Sequence, residues 1–183
     1  QAYADTEVYL MGGQSNMVTG IRNAVVSEMQ SLNPSSTIAA TFYQNSGKAL
    51  DSGWNDQTWA GDPPAPGRVT FYPGTTAADP NQGTVYAAMV ADWQAELAAI
   101  GQPYTIKGIV WVQGEQDTKN SISANRYAAN LDRLTTRLHE DFSLSAGSVS
   151  FTYTSMESTA SHFTYADALR TQQDNADSNS GHA

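Results

Sequence analysis

Apolar positions follow two different spacings along the chain, and these spacings predict strands and helices in turn. Short apolar runs at residues 7–11 and 105–112 are typical of buried strands, and residues 37–43 form a further strand candidate. From Thr84 the apolar residues recur at spacings of four and three, which predicts a helix that ends at Gly101. Strand and helix therefore alternate over this part of the chain.

The alternation continues towards the C-terminus. Ser123 is a candidate N-cap for a second helix, residues 148–155 alternate as a strand does, and residues 165–173 predict a last helix. The apolar positions of the second helix are Tyr127, Leu131, Leu134 and Leu138. Because strands and helices alternate, we expect an α/β fold in three layers, an α/β/α sandwich with a mainly parallel sheet.

Residues 51–83 interrupt this alternation. They are polar, contain most of the prolines, and include Trp54 and Trp59. Segments of this length without periodicity are usually functional loops or linkers, and we interpret this one as an insertion within a single domain over residues 1–183. The flat tryptophan faces suit stacking on a sugar ring, whereas in the alternative interpretation they pin the loop against the domain.

Charge and composition narrow the class of partner. Eighteen acidic and nine basic residues give the 183-residue chain a net charge of −9, which disfavours binding to nucleic acid or to an anionic membrane surface. No stretch approaches the roughly 20 continuous apolar residues of a membrane span. The absence of cysteine excludes disulfides and thiolate metal sites. Scarce lysine with abundant small polar residues favours a secreted or periplasmic protein.

Two polar clusters each follow a predicted strand. Residues 12–16 (GGQSN) come after the first strand, and residues 113–117 (QGEQD) come after the strand at 105–112. Because ligands bind beyond the carboxyl ends of parallel strands, we expect both clusters to open onto the same edge of the sheet. The paired glycines allow a sharp turn that presents Ser15 at this edge. The alternative is an ordinary tight turn.

The residue types in these clusters suit acyl transfer. A serine hydroxyl becomes a nucleophile when a base takes its proton, and the oxyanion that forms needs fixed donors. Ser15 supplies a hydroxyl, the Gln113 carboxamide and backbone N–H groups are candidate donors, and Glu115 is suited to orient a histidine. In the alternative interpretation Gln113, Glu115 and Asp117 form a polar loop that caps the next helix.

Other catalytic motifs are absent from the sequence. Met17 stands where the G-x-S-x-G motif needs its last glycine, and neither Gly-Lys-Ser/Thr nor G-x-G-x-x-G occurs. The three histidines, His139, His162 and His182, do not have the spacing of a metal site. We therefore expect neither a metal nor a nucleotide cofactor.

Three sequence motifs together resemble a known family. They are Gly13–Met17 (GQSNM), Trp111–Asp117 (WVQGEQD) and Leu169–Gln173 (LRTQQ). In this order and spacing they are similar to motifs of the SGNH hydrolase superfamily, specifically its sialate O-acetylesterase and family-six carbohydrate esterase branch, which includes acetylxylan esterases. The resemblance implies a flavodoxin-like α/β/α sandwich that removes O-acetyl groups from carbohydrate through a serine acyl-enzyme, without a metal.

The resemblance also implies a role for individual residues. It makes Ser15 the nucleophile, and it gives the oxyanion position to the Gln113 carboxamide and the backbone N–H of Gly83. Glu115 matches a glutamate that pairs with the catalytic histidine in some relatives. The residues expected to contact the acetylated carbohydrate are Gln14, Asn16, Asp117, Trp54 and Trp59.

The sequence departs from the family pattern near its C-terminal end. Family members carry an Asp-x-x-His motif there, and no such motif occurs in this sequence. We therefore expect a chain that lacks the last strand, the histidine loop and a final helix, and whose Ser15 is nearly inert without that base. His182 precedes the expected strand and is a poor substitute.

The sequence is also compatible with two other functions. An SGNH lipase or thioesterase predicts an apolar groove, whereas residues 51–83 are polar and aromatic. A noncatalytic carbohydrate-binding or surface-interaction domain with an esterase fold is favoured if the chain is naturally complete, because the Asp-x-x-His motif is then missing.

Overall fold

The computed structural model describes residues 6–52, 69–101, 103–145, 147–155 and 163–179. Among these residues five strands form a single sheet. They are β1 (Thr6–Gly13), β2 (Thr37–Ala40), β3 (Tyr43–Gln44), β4 (Tyr104–Val112) and β5 (Ser150–Tyr153). The strand order is β2-β1-β4-β5, and β3 pairs with β1 beyond the end of β2. Every pairing is parallel, which confirms the predicted sheet.

Five α-helices accompany the sheet in the described part of the chain, and a 3₁₀ helix at Asp117–Lys119 precedes the third of them. They are α1 (Thr19–Leu32), α2 (Thr84–Ile100), α3 (Ser121–Asn125), α4 (Tyr127–Asp141) and α5 (Ala166–Asn179). α2 ends at Gly101 as predicted, and this glycine adopts the left-handed conformation (φ 64°) that closes many helices. None of the described helices is both long and apolar enough to cross a membrane.

Successive side chains of β1 point into two apolar layers on opposite faces of the sheet. Leu10 belongs to a core that includes Trp93 of α2 and Leu134 of α4. Its neighbour Met11 belongs to a smaller core against which Val25 of α1 packs. Helices therefore cover both faces, and the expected three-layer α/β/α architecture is confirmed.

α1 was not expected from the sequence. Its apolar residues Ile21, Val25 and Met29 have helical spacing, but none of the residues in this helix is fully buried. Helices are predicted from the contrast between apolar and polar positions. In a helix that is only partly buried this contrast is weak, so α1 was not expected.

The segment predicted as one strand at 37–43 is divided into β2 and β3. At the break the Thr41 hydroxyl accepts from the Met11 N–H at 3.4 Å, and the Trp93 indole donates to the Met11 carbonyl at 3.2 Å. Side chains thus replace the missing ladder partners of β1 at this point. Beyond the break, β3 pairs with residues 12–13 at the end of β1.

The helical region after β4 begins differently from the prediction. The Asn120 side chain caps α3, because its oxygen accepts from the N–H groups of Ile122 and Ser123 at 2.9 and 3.2 Å. Ser123 lies inside α3, and its hydroxyl donates to the Asp117 carboxylate. The prediction of Ser123 as the cap is therefore wrong, whereas the four predicted apolar positions of α4 are all buried.

The predicted insertion at 51–83 is described only at its two ends. Residues 53–68, which contain Trp54 and Trp59, lie outside the described residues. At the C-terminal end of the insertion Phe71 is buried, and its N–H donates to the Ala49 carbonyl at 2.8 Å. This end of the insertion therefore lies beside the chain that leaves β3.

Candidate active site

The two polar clusters meet at one edge of the sheet. β1 and β4 are parallel neighbours with Gly13 opposite Val112, and the Gln14 N–H donates to the Val112 carbonyl at 2.8 Å. A Cβ on Gly13 would lie 2.0 Å from that carbonyl oxygen, so this close approach requires glycine. The expected common edge is confirmed. We call residues 14–17 the β1 loop and residues 113–117 the β4 loop.

Ser15 lies at the exposed tip of the β1 loop. A bond of 2.9 Å from the Met17 N–H to the Gln14 carbonyl closes the loop, and the Met17 side chain is fully buried beneath it. The Ser15 carbonyl accepts from Gln44 Nε2 at 3.1 Å. Neither the hydroxyl nor the N–H of Ser15 has a hydrogen-bond partner among the described residues. The loop is thus held through its backbone and its methionine, while the serine side chain is exposed.

Gln14 connects the two loops. Its side chain is only 2% exposed, and its Oε1 accepts from the N–H groups of Gly114 and Gln116 at 3.1 and 3.3 Å. A buried amide that satisfies two backbone donors fixes the relative positions of the loops. The geometry therefore gives Gln14 a supporting role in place of the predicted substrate contact.

Asn16 and Glu115 join the loops at the surface. Asn16 Nδ2 donates to Glu115 Oε1, and Asn16 is exposed. The second oxygen of Glu115, Oε2, is buried and has no hydrogen-bond partner among the described residues. A buried carboxylate oxygen without a donor is suited to accept an N–H, as from an imidazole. The structure thus brings Ser15, Asn16 and Glu115 together.

Both polar atoms of the Gln113 side chain form hydrogen bonds within the protein. Its side chain is 1% exposed, and its Nε2 donates to the Lys48 carbonyl at 3.1 Å and to Asp117 Oδ2 at 2.6 Å. Its Oε1 accepts from the Tyr127 hydroxyl at 3.0 Å. Because an amide nitrogen carries two hydrogens, both are already in use. For Gln113 to donate to an oxyanion, as the sequence predicts, one of these two bonds has to open.

The Gly83 N–H is also in use. It donates to the Tyr72 carbonyl at 2.8 Å. A Cβ on Gly83 would lie 2.0 Å from the Thr70 carbonyl oxygen, so the start of α2 can pack here only because this residue is glycine. Like Gln113, Gly83 would have to exchange its present acceptor for an oxyanion.

Asp117 is fully buried, so it is not placed to contact substrate as predicted. Burial raises the pKa of its carboxyl to about 6, against the lowering effect of hydrogen bonds from Ser123, Leu50 and Gln113. The nearby carboxylate of Asp51 raises this pKa further. A buried carboxylate with four protein donors holds the segments that supply those donors together.

Tyr127 is a site residue that the sequence did not reveal as one. Its hydroxyl shares its single hydrogen between the Gln113 backbone carbonyl at 2.8 Å and the Gln113 side-chain oxygen at 3.0 Å. Burial and the Asp117 carboxylate raise the pKa of Tyr127 well above its ordinary value. The apolar spacing of α4 predicted a buried ring, but spacing cannot show where the hydroxyl of that ring points.

His139 does not join this cluster. Among the described residues the only histidine is His139, in the last turn of α4, whereas α4 begins beside Gln113. His162, His182 and the two predicted sugar-stacking tryptophans lie outside the described residues. The described part of the chain contains no group of histidine or acidic residues able to hold a metal ion.

Solved structures of other proteins share this fold. A protein from Arabidopsis thaliana matches with a TM-score of 0.61 and 15% identity, over 93% of this chain and 81% of its own. A carbohydrate acetylesterase from Xanthomonas citri matches with a TM-score of 0.57 and 14% identity, over 93% of this chain. This chain spans about half of the Xanthomonas protein (47%). A search of the curated proteins finds no match.

A family model matches the chain over more than half its length. The model is that of the carbohydrate esterases described as sialic acid-specific acetylesterases, and it covers residues 69–181. The matched region includes Gly83 and the whole β4 loop, whereas Ser15 lies before it. The chain therefore belongs to the family of carbohydrate esterases described as sialic acid-specific acetylesterases.

Proposed function

We propose that this protein removes O-acetyl groups from carbohydrate, of the acetylxylan or sialate type, with Ser15 as the nucleophile. The observation that carries the proposal is the exposed Ser15 beside the Asn16–Glu115 pair, at the carboxyl edge of the sheet, in a chain of the carbohydrate esterase family. A serine esterase needs an exposed hydroxyl on a rigid loop and a carboxylate that orients the base, and the two loops offer both groups.

The reaction proceeds in two steps through an acetyl-serine. The Ser15 oxygen attacks the acetyl carbonyl carbon, and its proton passes to a histidine base. The bond between that carbon and the sugar oxygen then breaks, and the sugar leaves with the proton from the base. Water attacks the acetyl-serine in the second step and releases acetate, which restores the Ser15 hydroxyl.

Glu115 orients the base in this proposal. Its buried Oε2 accepts the imidazole N–H that faces away from Ser15 and stabilises the imidazolium that forms in each step. The histidine itself comes from outside the described residues, since His139 lies at the far end of α4.

The Ser15 N–H is the first oxyanion donor in this scheme. It has no acceptor among the described residues and belongs to the same residue as the nucleophile. Gln113 and Gly83 are the further donors proposed from the family resemblance. They act once substrate has replaced the acceptors that they hold in the free protein.

Replacement of Ser15 by alanine tests the proposal. In an active form of the protein that carries the catalytic histidine, acetate release from acetylated xylan and from an O-acetyl sialic acid is compared for the wild-type sequence, Ser15→Ala and the control Ser31→Ala, which changes an exposed serine of α1. Loss of the nucleophile should lower kcat/KM by about 10⁴-fold or more. A Ser15→Ala protein with more than about a tenth of wild-type activity would overturn the assignment.

A second function is favoured by the occupied donors. Gln113 uses both amide hydrogens and Gly83 its N–H within the protein, which is the state expected of a domain that binds acetylated carbohydrate without cleaving it. This alternative predicts that calorimetry detects binding of an acetylated xylo-oligosaccharide while no acetate is released.

A further inference from the structure

Residues 44–51 run along the carboxyl edge of the sheet beside the two loops, and we call them the site wall. At its first end Gln44 Nε2 donates to the Ser15 carbonyl at 3.1 Å. The Asn45 N–H donates to the Gly13 carbonyl at 3.0 Å. The first end of the site wall is thus fixed to the backbone at the end of β1 and in the β1 loop.

The second end of the site wall is fixed to the β4 loop. The N–H groups of Leu50 and Asp51 donate to the Asp117 carboxylate at 2.9 and 3.2 Å. The Lys48 carbonyl accepts from Gln113 Nε2 at 3.1 Å. Two backbone donors in this segment are thus satisfied by a single side chain.

Asp117 also bonds the site itself. Its Oδ2 accepts from Gln113 Nε2 at 2.6 Å, and its Oδ1 accepts from the Ser123 hydroxyl. The four donors come from three separate parts of the chain: the site wall, the β4 loop and α3. The carboxylate is fully buried, and all four donors are uncharged.

We infer that Asp117 is a positioning residue that fastens the site wall to the β4 loop and so holds the wall ready to receive the sugar part of the substrate. The inference rests on the proposed function, in which Ser15 acts on the acetyl group beside this wall. Gln44 and Ser46 are exposed on the wall. Their uncharged donors and acceptors match the hydroxyl groups of a sugar.

The substitution Asp117→Asn would remove this fastening, because asparagine accepts fewer hydrogen bonds than a carboxylate does. One of its two side-chain polar atoms is a donor, so it cannot accept from Leu50, Gln113 and Ser123 together as the carboxylate does. The buried backbone donors of the wall would lose an acceptor, which favours detachment of the wall. A large carbohydrate ester depends on the wall, whereas a small ester such as 4-nitrophenyl acetate contacts mainly Ser15.

The test compares these two substrates in Asp117→Asn. For an acetylated xylo-oligosaccharide, KM should rise, and kcat/KM should fall by about tenfold or more beyond the fall seen for 4-nitrophenyl acetate, which reports the change in the Gln113 hydrogen bonds. An equal loss on both substrates would overturn the inference, because a purely structural defect affects both.

The control is Asp141→Asn, which removes a carboxylate that bonds the Tyr86 hydroxyl at 2.6 Å and Arg137 Nη2 at 2.7 Å. Asp141 ends the 15-residue helix α4 and so lies about 20 Å along that helix from its start at the site. This variant should leave the ratio of the kcat/KM values for the two substrates unchanged. If it shifts the ratio as Asp117→Asn does, the inference is wrong.

Hydrogen exchange tests the fastening without reference to activity. Amides of the site wall should exchange at least about tenfold faster in Asp117→Asn, while those of β1 and β4 keep their protection. Ser15→Ala should lose esterase activity and keep the wall protected, which separates a failure of the inference from a failure of the proposed function. In a protein that binds but does not cleave, the affinity for the oligosaccharide takes the place of KM and should fall by about tenfold.

A milder variant covers the case in which Asp117→Asn does not fold. Ser123→Ala removes one donor to Asp117 and leaves the acceptor for the wall in place. It should shift exchange and KM in the same direction by a smaller amount, about two- to fivefold. Wall amides that exchange as in the wild type in Ser123→Ala would contradict the inference when Asp117→Asn does not fold.

Discussion

The β1 loop and the β4 loop have equally polar sequences but use their polar side chains in different ways. In the β1 loop Ser15 and Asn16 are exposed, whereas in the β4 loop Gln113 and Asp117 are buried. The β1 loop thus presents chemical groups, and the β4 loop mainly holds neighbouring segments in place. Glu115 is the residue of the β4 loop whose carboxylate reaches the β1 loop. A residue of a sequence motif can therefore serve a site by holding its other residues in place.

The largest effect on activity is expected for Glu115→Gln, which tests whether a residue of the β4 loop takes part in the reaction. If Glu115 belongs with Ser15 as a group that acts in the reaction, loss of its charge should lower kcat by about 10²- to 10⁴-fold. Stability should change little, because Glu115 is only half-buried. Steady-state kinetics and thermal unfolding measure the two quantities. A kcat close to that of the wild type would place Glu115 among the supporting residues.

The second effect concerns Gln14, the supporting residue of the β1 loop. Gln14→Leu leaves the buried N–H groups of Gly114 and Gln116 without their acceptor. The free energy of unfolding should fall by about 2–4 kcal/mol, as measured by urea denaturation. Asn16→Leu removes one exposed amide from the same loop and serves as the control, with a loss below about 1 kcal/mol. Equal losses of unfolding free energy in both variants would show that the buried Gln14 supports the fold no more than the exposed Asn16 does.

The third effect is a pH dependence of stability from Asp117. Its pKa is raised from 3.8 to about 6, so the folded protein binds this proton more strongly than the unfolded chain does. Its contribution to the free energy of unfolding is therefore full below about pH 4 and is lost as the pH rises through about 6. The loss is at most about 3 kcal/mol.

Urea denaturation at several pH values measures this slope, which should be absent in Asp117→Asn. Asp79→Asn is the matched control. Hydrogen bonds, first from the Thr75 N–H and next from the Asn81 N–H, lower the pKa of Asp79 to about 2, so that group titrates below the window. If the free energy of unfolding of Asp117→Asn depends on pH as that of the wild type does, another residue causes the pH dependence.

The smallest effect is expected for Tyr127→Phe. The ring stays buried, and only the hydroxyl that bonds the side chain and backbone of Gln113 is lost. We expect a loss of about 1 kcal/mol in the free energy of unfolding. A loss above about 3 kcal/mol would mean that Tyr127 supports more than Gln113.

The sequence predicted the elements that position the site better than it predicted the site. β1, β4 and α2 have strong apolar patterns and were found, and the rule for parallel sheets then placed both loops at one edge. The Ser123 cap was wrong because the preceding Asn120 offers an equally suitable acceptor. The sequence alone does not show which of two nearby candidate residues caps the helix.

The roles within the β4 loop could not be predicted from spacing. Spacing indicates that Gln113 and Asp117 follow a strand, but the hydrogen bonds that use their polar atoms come from Lys48, Leu50 and Ser123, which are distant in sequence or on another element. Whether a polar side chain is free to meet a substrate depends on these partners. The fold of the whole domain decides that question.

The most direct test of the central claim is to detect the acetyl-enzyme itself. The protein is mixed with an acetylated xylo-oligosaccharide, quenched in acid within the first turnovers, digested and analysed by mass spectrometry. We predict an acetyl group on Ser15 that disappears as substrate is exhausted and never forms in Ser15→Ala. Acetate release by the wild type with Ser15 unmodified at every time point would contradict the account.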